Sequence, residues 1–419
     1  MVVLATLEPE VAEKKTTRVR FTKYLQGQLS AIFSPSGWPE WLGGILLGLV
    51  NILFFAWALK PFTIYTGFLN WGQHFYAKIV GLYTFGENLV NPLFERTSVG
   101  DIGLFLGALL SALIAGEFKL RRPSRVIDYL EGAIGGLLMA LGVVLALGCN
   151  WGGFFSAITA LSMHGYFMFI GLIIGGALGS YYVDWRARRD LEAVELELEE
   201  APPSLASSGR SIPRYAGLLA LLAVLAALSW YMGIAPGGGK FVGILMMGLF
   251  VGVVIQRSRF CFATAFRDIL RGGAEFRRSA RLQVGIALGI IVGSTGVLVL
   301  KYMGYVDLDA YVKPVGWSNI VGGILFGLGM VVAGGCASGS LWKAAEGHIK
   351  LWVALLAAVL SYAPLRYFIR EYAGWIYGSK ISIVSSLGWA GGIVFIYATM
   401  VLWIMFVLYL DYRRGTRYG

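Results

Sequence analysis

Apolar runs of about 17 or more residues recur along nearly the whole chain, separated by short segments that carry most of the arginine and lysine. Each is long enough to cross a hydrocarbon layer as a helix. The pattern predicts ten spans, at about residues 41–60, 101–117, 130–148, 165–183, 214–234, 240–257, 282–300, 316–335, 351–369 and 388–410. Short interruptions matter as much as the runs. Residues 154–163 (FFSAITALSM) and 341–346 (LWKAAE) are moderately apolar but too short to span, so they read as re-entrant pieces. Backbone of that kind is tolerated at membrane depth only where protein or a water-filled cavity satisfies it.

An internal repeat organises these spans. IGGLLMALGVVLALGCNWG (134–152) lies over VGGILFGLGMVVAGGCASG (321–339) without a gap, at an offset of 187, and aligns Gly148 with Gly335 and Cys149 with Cys336. A looser correspondence relates 41–68 to 241–266. The span ending at Cys149 is the third and the one ending at Cys336 is the eighth, so the two copies run in opposite directions. The expected fold is therefore an all-α polytopic membrane protein of two inverted repeats, with short re-entrant helices, one from each face, meeting at a central constriction. The expected divisions are an N-terminal segment (1–40), a first half (41–183), a linker (184–213), a connecting helix (214–239), a second half with the final helix (240–410) and a tail (411–419).

Composition agrees with a membrane protein. Hydrophobic residues are 57% and charged residues 14% of 419, where soluble chains carry about 25% charged residues. Mean hydropathy is +0.69. Together these exclude a secreted disulfide scaffold and a nucleic-acid-binding domain. The net charge of +11 is a matter of placement: 26 of the 35 basic residues fall on the side that holds both termini. That side is expected to be cytoplasmic, in the cell (inner or plasma) membrane. Glycine, 57 of 419 residues, is about twice its usual share. Small residues let membrane helices approach closely.

Three cysteines are the candidate chemistry. Cys149 and Cys336 occupy equivalent positions beside Gly148 and Gly335, and Cys261 lies in RSRFCFATAFRD after the sixth span. A thiol is a soft, weak donor, suited to touching a sulfur-bearing anion without trapping it. Asn150 and Ser338, close to the paired cysteines, and Arg259, close to Cys261, complete the candidate substrate-binding set. His74, His164 and His348 read as structural. Asp101, Glu117, Glu131 and Asp268 lie at span ends or in loops, and the absence of an acid in mid-span argues against ion coupling. No nucleotide-binding or zinc-protease motif is present, and no metal or other cofactor is expected.

On the Gly-Cys repeats, on SRFCFATAFRDIL and on its first-half relative KPFTIYTGFLNWG, the chain resembles the YeeE/YedE family of sulfur-compound transporters over about 40–185 and 235–410. The resemblance implies thiosulfate uptake and no enzymatic activity, through an hourglass in which Cys149, Cys336 and Cys261 pass the anion inward by S–H···S contacts. It also implies a cytosolic sulfurtransferase as partner. One departure stands out: the first half has no cysteine matching Cys261, only Pro61, Phe62 and Thr63. Alternatives are a transporter of a selenium compound, an intramembrane thiol oxidoreductase or sulfurtransferase, and a structural component of a membrane complex.

Overall fold

The computed structural model describes residues 37–85, 89–123, 125–198, 215–234, 238–271 and 273–415. Residues 1–36 of the expected N-terminal segment and 199–213 of the linker lie outside them. The helices are α1 (Glu40–Ala58), α2 (Tyr65–His74, continued by a π-turn Phe75–Val80), α3 (Arg96–Ile114), α4 (Val126–Ala146), α5 (Ser156–Thr159, preceded by a π-turn Asn150–Phe155), α6 (His164–Leu198) and α7 (Tyr215–Ile234). They continue with α8 (Gly238–Arg257), α9 (Phe262–Arg267), α10 (Gly273–Tyr302), α11 (Trp317–Ala333), α12 (Ala337–Ala345), α13 (Ile349–Ala373) and α14 (Ile383–Gly415). Among the described residues, nine helical stretches are long and apolar enough to cross a membrane. A shorter apolar stretch, Leu219–Gly233 within α7, accounts for the tenth predicted span.

Glycine contacts give the register. Gly44 and Gly48 of α1 meet Gly285 and Gly289 of α10, and Gly103 and Gly107 of α3 meet Gly248 and Leu249 of α8, both pairs running parallel. In the same way Gly132 and Gly136 of α4 meet Lys350 and Ala354 of α13, while Gly171 and Gly175 of α6 meet Ile320 and Ile324 of α11. At the centre, Gly135 meets Ala333 and Gly142 meets Gly322, so α4 and α11, the two Gly-Cys copies, pack antiparallel. Every helix of one half thus packs on a helix of the other, and the halves are inverted. Close approach is obligatory here: a Cβ on Gly44 would lie 1.9 Å from the carbonyl oxygen of Gly285.

Alternating helix directions bring the start of α1 and the end of α14 to one face. The opposite face carries the turn where Arg96 Nη1 donates to the Ala58 carbonyl at 3.1 Å. We call the latter the outer face. The expectation of one re-entrant piece from each face is incomplete, because there are two. From the outer face come α2 with its π-turn and the 150–159 segment; from the inner face come α9 and α12. Both newly recognised pieces follow sequences that align, KPFT (60–63) and SRFC (258–261).

The placement of acids also differs from the sequence reading. Glu131 and Asp101 are buried within α4 and α3, each in its second turn. The α3 helix begins at Arg96, where Glu95 caps it by accepting the Ser98 N–H at 2.7 Å, so Asp101 is inside the helix and not at its end. Glu131 is compensated by Lys350 at 2.7 Å, by the Tyr182 hydroxyl at 2.7 Å and by Arg186.

Candidate functional site

The two Gly-Cys turns have the same construction. The residue before each glycine adopts a left-handed conformation, Leu147 at φ 61° and Gly334 at φ 88°. The carbonyls of these two residues are held by ammonium groups: Lys313 Nζ donates to Leu147 at 2.6 Å and Lys343 Nζ to Gly334 at 2.8 Å. Only glycine fits at 148, where a Cβ would lie 2.5 Å from the Gly153 nitrogen, while at Gly335 a Cβ would be tight, 3.1 Å from the Ser340 nitrogen. The cysteines follow in extended conformations that nearly coincide, Cys149 at φ −78°, ψ 178° and Cys336 at φ −76°, ψ −175°. Each caps the short helix after it.

Both sulfurs are used alike. Cys149 Sγ accepts the Gly152 N–H at 3.5 Å and Cys336 Sγ accepts the Gly339 N–H at 3.3 Å. Ser338 Oγ lies 3.5 Å from Cys336 Sγ. Asn150 is fully buried, and neither atom of its amide has a hydrogen-bond partner among the described residues. Most buried amides in folded proteins are hydrogen-bonded, so Asn150 is an exception.

Cys261 and Cys336 face one point. A Cβ on Gly339 would lie 3.1 Å from Cys336 Sγ and 3.3 Å from Cys261 Sγ. The mirror point in the first half is Gly152, whose Cβ would lie 2.8 Å from the Tyr311 hydroxyl and 3.1 Å from Thr63 Cγ2. Thr63 therefore takes the place of the missing cysteine, with the Tyr311 hydroxyl beside it. All three cysteines are free thiols and buried. Tyr65, at the start of α2, is buried, and its hydroxyl lacks a hydrogen-bond partner among the described residues.

Aromatic rings join the halves around these groups. Trp151 packs on Phe62 at 5.0 Å and on Phe262 at 6.1 Å between centroids, and Phe155 meets Phe262 at 6.1 Å. Polar side chains satisfy the interrupted backbone. Ser156 Oγ donates to the Phe62 carbonyl, and Lys301 Nζ to those of Ala160, Leu308 and Ala310. On the inner side Ser279 Oγ and Gln283 Nε2 donate to the Ala265 carbonyl.

The two faces differ in charge. Outside, a cavity of about 520 Å³ lined by Lys313, Arg366, Arg370, Lys380, Tyr362 and Tyr377 opens beside Leu147. Burial lowers the Lys313 ammonium to about 8, with Arg366 and Arg370 acting in the same direction and Cys149 against them. Inside, Arg259 is committed to protein carboxylates, Glu346 at 2.7 Å and Glu117 at 2.9 Å, with its guanidinium over the Trp342 ring. Gln256 donates to Glu346 at 3.0 Å. His348 sits 3.2 Å from Arg121, and His164 shares a 2.7 Å hydrogen bond with Ser162.

The sequence singled out Cys149, Cys336, Cys261, Asn150 and Ser338, and these stand at the starts of the short helices. It named Thr63 without giving it a role, and it passed over Tyr65, Tyr311 and the outer cations. Their signals were present: Thr63 aligns with Cys261, and Tyr362, Arg366 and Arg370 lie four residues apart on one face of α13.

A family model described as sulphur transport matches residues 1–178 and 257–418. The chain belongs to this family. It is 25% identical over 383 residues to "Probable transporter YedE" of Salmonella typhimurium LT2, covering 90% of this chain and 93% of that one. To the Escherichia coli K12 protein of the same name it is 28% identical over 344 residues, 81% of this chain and 80% of that one. Over 123 residues, 29% of this chain and 33% of that one, it is 37% identical to "Thiosulfate transporter TsuA" of E. coli K12. It is thus a multi-pass membrane protein of a sulphur-transport family.

Proposed function

We propose that the protein carries thiosulfate, or a closely similar small sulfur anion, inward across the cell membrane. The observation that supports this best is the pair of symmetry-related thiols, each at the start of a short buried helix and reached from opposite faces. The anion collects in the cationic outer cavity, which raises its local concentration. It then meets the Cys149 thiol, with Asn150, Thr63 and the Tyr311 and Tyr65 hydroxyls as donors to its oxygens. Cys336, Ser338 and Cys261 receive it on the inner side. Thiol contacts are weak and repeated, so the anion can both enter and leave. Arg259, held by Glu346 and Glu117, acts at the inner mouth as part of a wall and not as a free anion receptor. In this reading both termini are cytoplasmic, the protein is not an enzyme, and a cytosolic sulfurtransferase draws the anion forward by consuming it.

A strain lacking other thiosulfate uptake and complemented with this gene provides the test. Cys149→Ala and Cys336→Ala are each expected to abolish growth on thiosulfate while the protein remains in the membrane. Normal growth of both variants would rule out passage by thiols. A covalent thiol reaction instead would leave a mixed disulfide or persulfide, visible as added mass on the intact chain after turnover.

A further inference from the structure

We propose that Asp101 is a proton-carrying site and that the chain takes a proton inward with each sulfur anion. The inference rests on the transport reading above and adds its coupling.

Asp101 is fully buried in α3, and among the described residues neither of its carboxyl oxygens has a hydrogen-bond partner. The other buried acids are treated differently. Glu131 has Lys350, Arg186 and Tyr182; Asp268 has Arg267 and Arg271; Glu346 has Arg259 and Gln256. A carboxylate without a cation or donor is costly at membrane depth, so the neutral acid is the form that fits the site. A group held in that form can gain and lose a proton as its surroundings change.

Its position couples it to the anion site. On one side α2 presents Gly67, where a Cβ would lie 2.2 Å from Asp101 Oδ2 and 3.1 Å from Ser98 Cα. Next to that face, α8 packs on α3 through Leu245, Gly248 and Leu249, which carry no titratable group. Toward the anion site, Gly100, the residue before Asp101, meets Phe62, whose ring packs on Trp151 at 5.0 Å between centroids, and the titratable group on the loop leading into its own helix is Glu95. Toward the outer end, Ser98 Oγ donates to Asn70 Oδ1 at 3.4 Å, and Glu95 accepts the Ser98 N–H. Polar groups thus lead from the outer end of α3 to Ser98, one helical turn before Asp101.

The linkage follows from charge. An anion arriving at Cys149 repels an ionised Asp101 and favours the protonated one, so anion and proton bind together and leave together. Only the O–H bond forms and breaks: one proton is taken from outside and one is released inside per anion. Thiosulfate is a dianion at neutral pH, and its entry alone against about 100 mV, inside negative, is disfavoured on the order of a thousand-fold. Each accompanying proton removes one unit of the opposing charge.

The test uses the full chain in proteoliposomes with a pH dye inside and thiosulfate added outside. The expected result is acidification of the lumen upon thiosulfate entry, with uptake several-fold faster under an acid-outside gradient. Asp101→Asn, a neutral isostere, is expected to pass thiosulfate with neither acidification nor a response to the gradient. Wild-type uptake without acidification overturns the proposal, as does an Asn variant that still acidifies the lumen. Absence of any thiosulfate flux in the wild type overturns the transport reading and this one together, whereas flux without proton movement overturns this one alone.

Discussion

Cys149 and Cys336, 187 residues apart, make the same hydrogen bond: each sulfur accepts the backbone N–H of the glycine three residues on. The bond fixes the side-chain direction at both places. It also sets a glycine beside each sulfur.

Substitution at these glycines separates passage from folding. The Cβ of Gly339→Ala would sit 3.1 and 3.3 Å from two sulfurs, a contact that small movements of those side chains can absorb. We expect a folded protein with uptake reduced at least about tenfold, because the methyl group fills the point where Cys261 and Cys336 converge. Radiolabelled thiosulfate uptake alongside size-exclusion behaviour in detergent gives both readouts. Uptake equal to wild type would place the anion's route elsewhere.

Gly44→Ala is expected to do the opposite. Its Cβ meets backbone, 1.9 Å from the Gly285 carbonyl oxygen, so α1 and α10 must separate. The cost should be about 1–3 kcal/mol or more. Thermal unfolding in detergent should show a clear drop in midpoint, with lost uptake following the loss of folded protein.

Lys313 predicts how anion capture depends on pH. Its ammonium titrates at about 8 because burial disfavours the charged form. The charge is present below that value and lost above it, so the apparent affinity for thiosulfate should fall as the outer pH rises through about 8. Lys313→Met should lower affinity at neutral pH by roughly tenfold, the scale of one charge-assisted contact, and flatten the profile. An unchanged profile in the variant would assign the pH dependence to another group.

His348 makes a prediction about stability. Burial, followed by the nearby Arg121, lowers its imidazole to about 4. Unfolded, it titrates near 6.5, so the unfolded chain binds the extra proton first as the pH falls. The stability it contributes is complete above about 6.5 and lost progressively toward 4, on the order of 2 kcal/mol. His348→Gln should reduce the slope of thermal midpoint against pH in that window.

Much of the fold was legible because it rests on hydrophobic run length and on one repeat. Ten spans and the inversion at Cys149 and Cys336 require nothing beyond those two signals. The helices α2 and α9 were harder to see, since short amphipathic segments inside a protein carry no periodicity that distinguishes them from loops. Thr63 was visible at the place matching Cys261 but carried no role there, because the equivalence is one of position and not of residue type. Asp101 was misplaced by five residues of helix: the charged start of α3, Arg96 to Asp101, reads as loop on hydropathy, yet the Glu95 cap and packing against α2 and α8 make it helix. The ion pairs of Arg259 join residues 117, 259 and 346, a tertiary relation that no local pattern encodes.

The central claim is that a sulfur anion passes by touching the buried thiols. A density map of the protein with thiosulfate bound tests it most directly. The account predicts the terminal sulfur of the anion in contact with Cys149 Sγ, or with the pair Cys336 and Cys261, and its oxygens toward Asn150, Thr63 or Ser338. Thiosulfate bound across the membrane interior with its sulfur remote from all three thiols would contradict it.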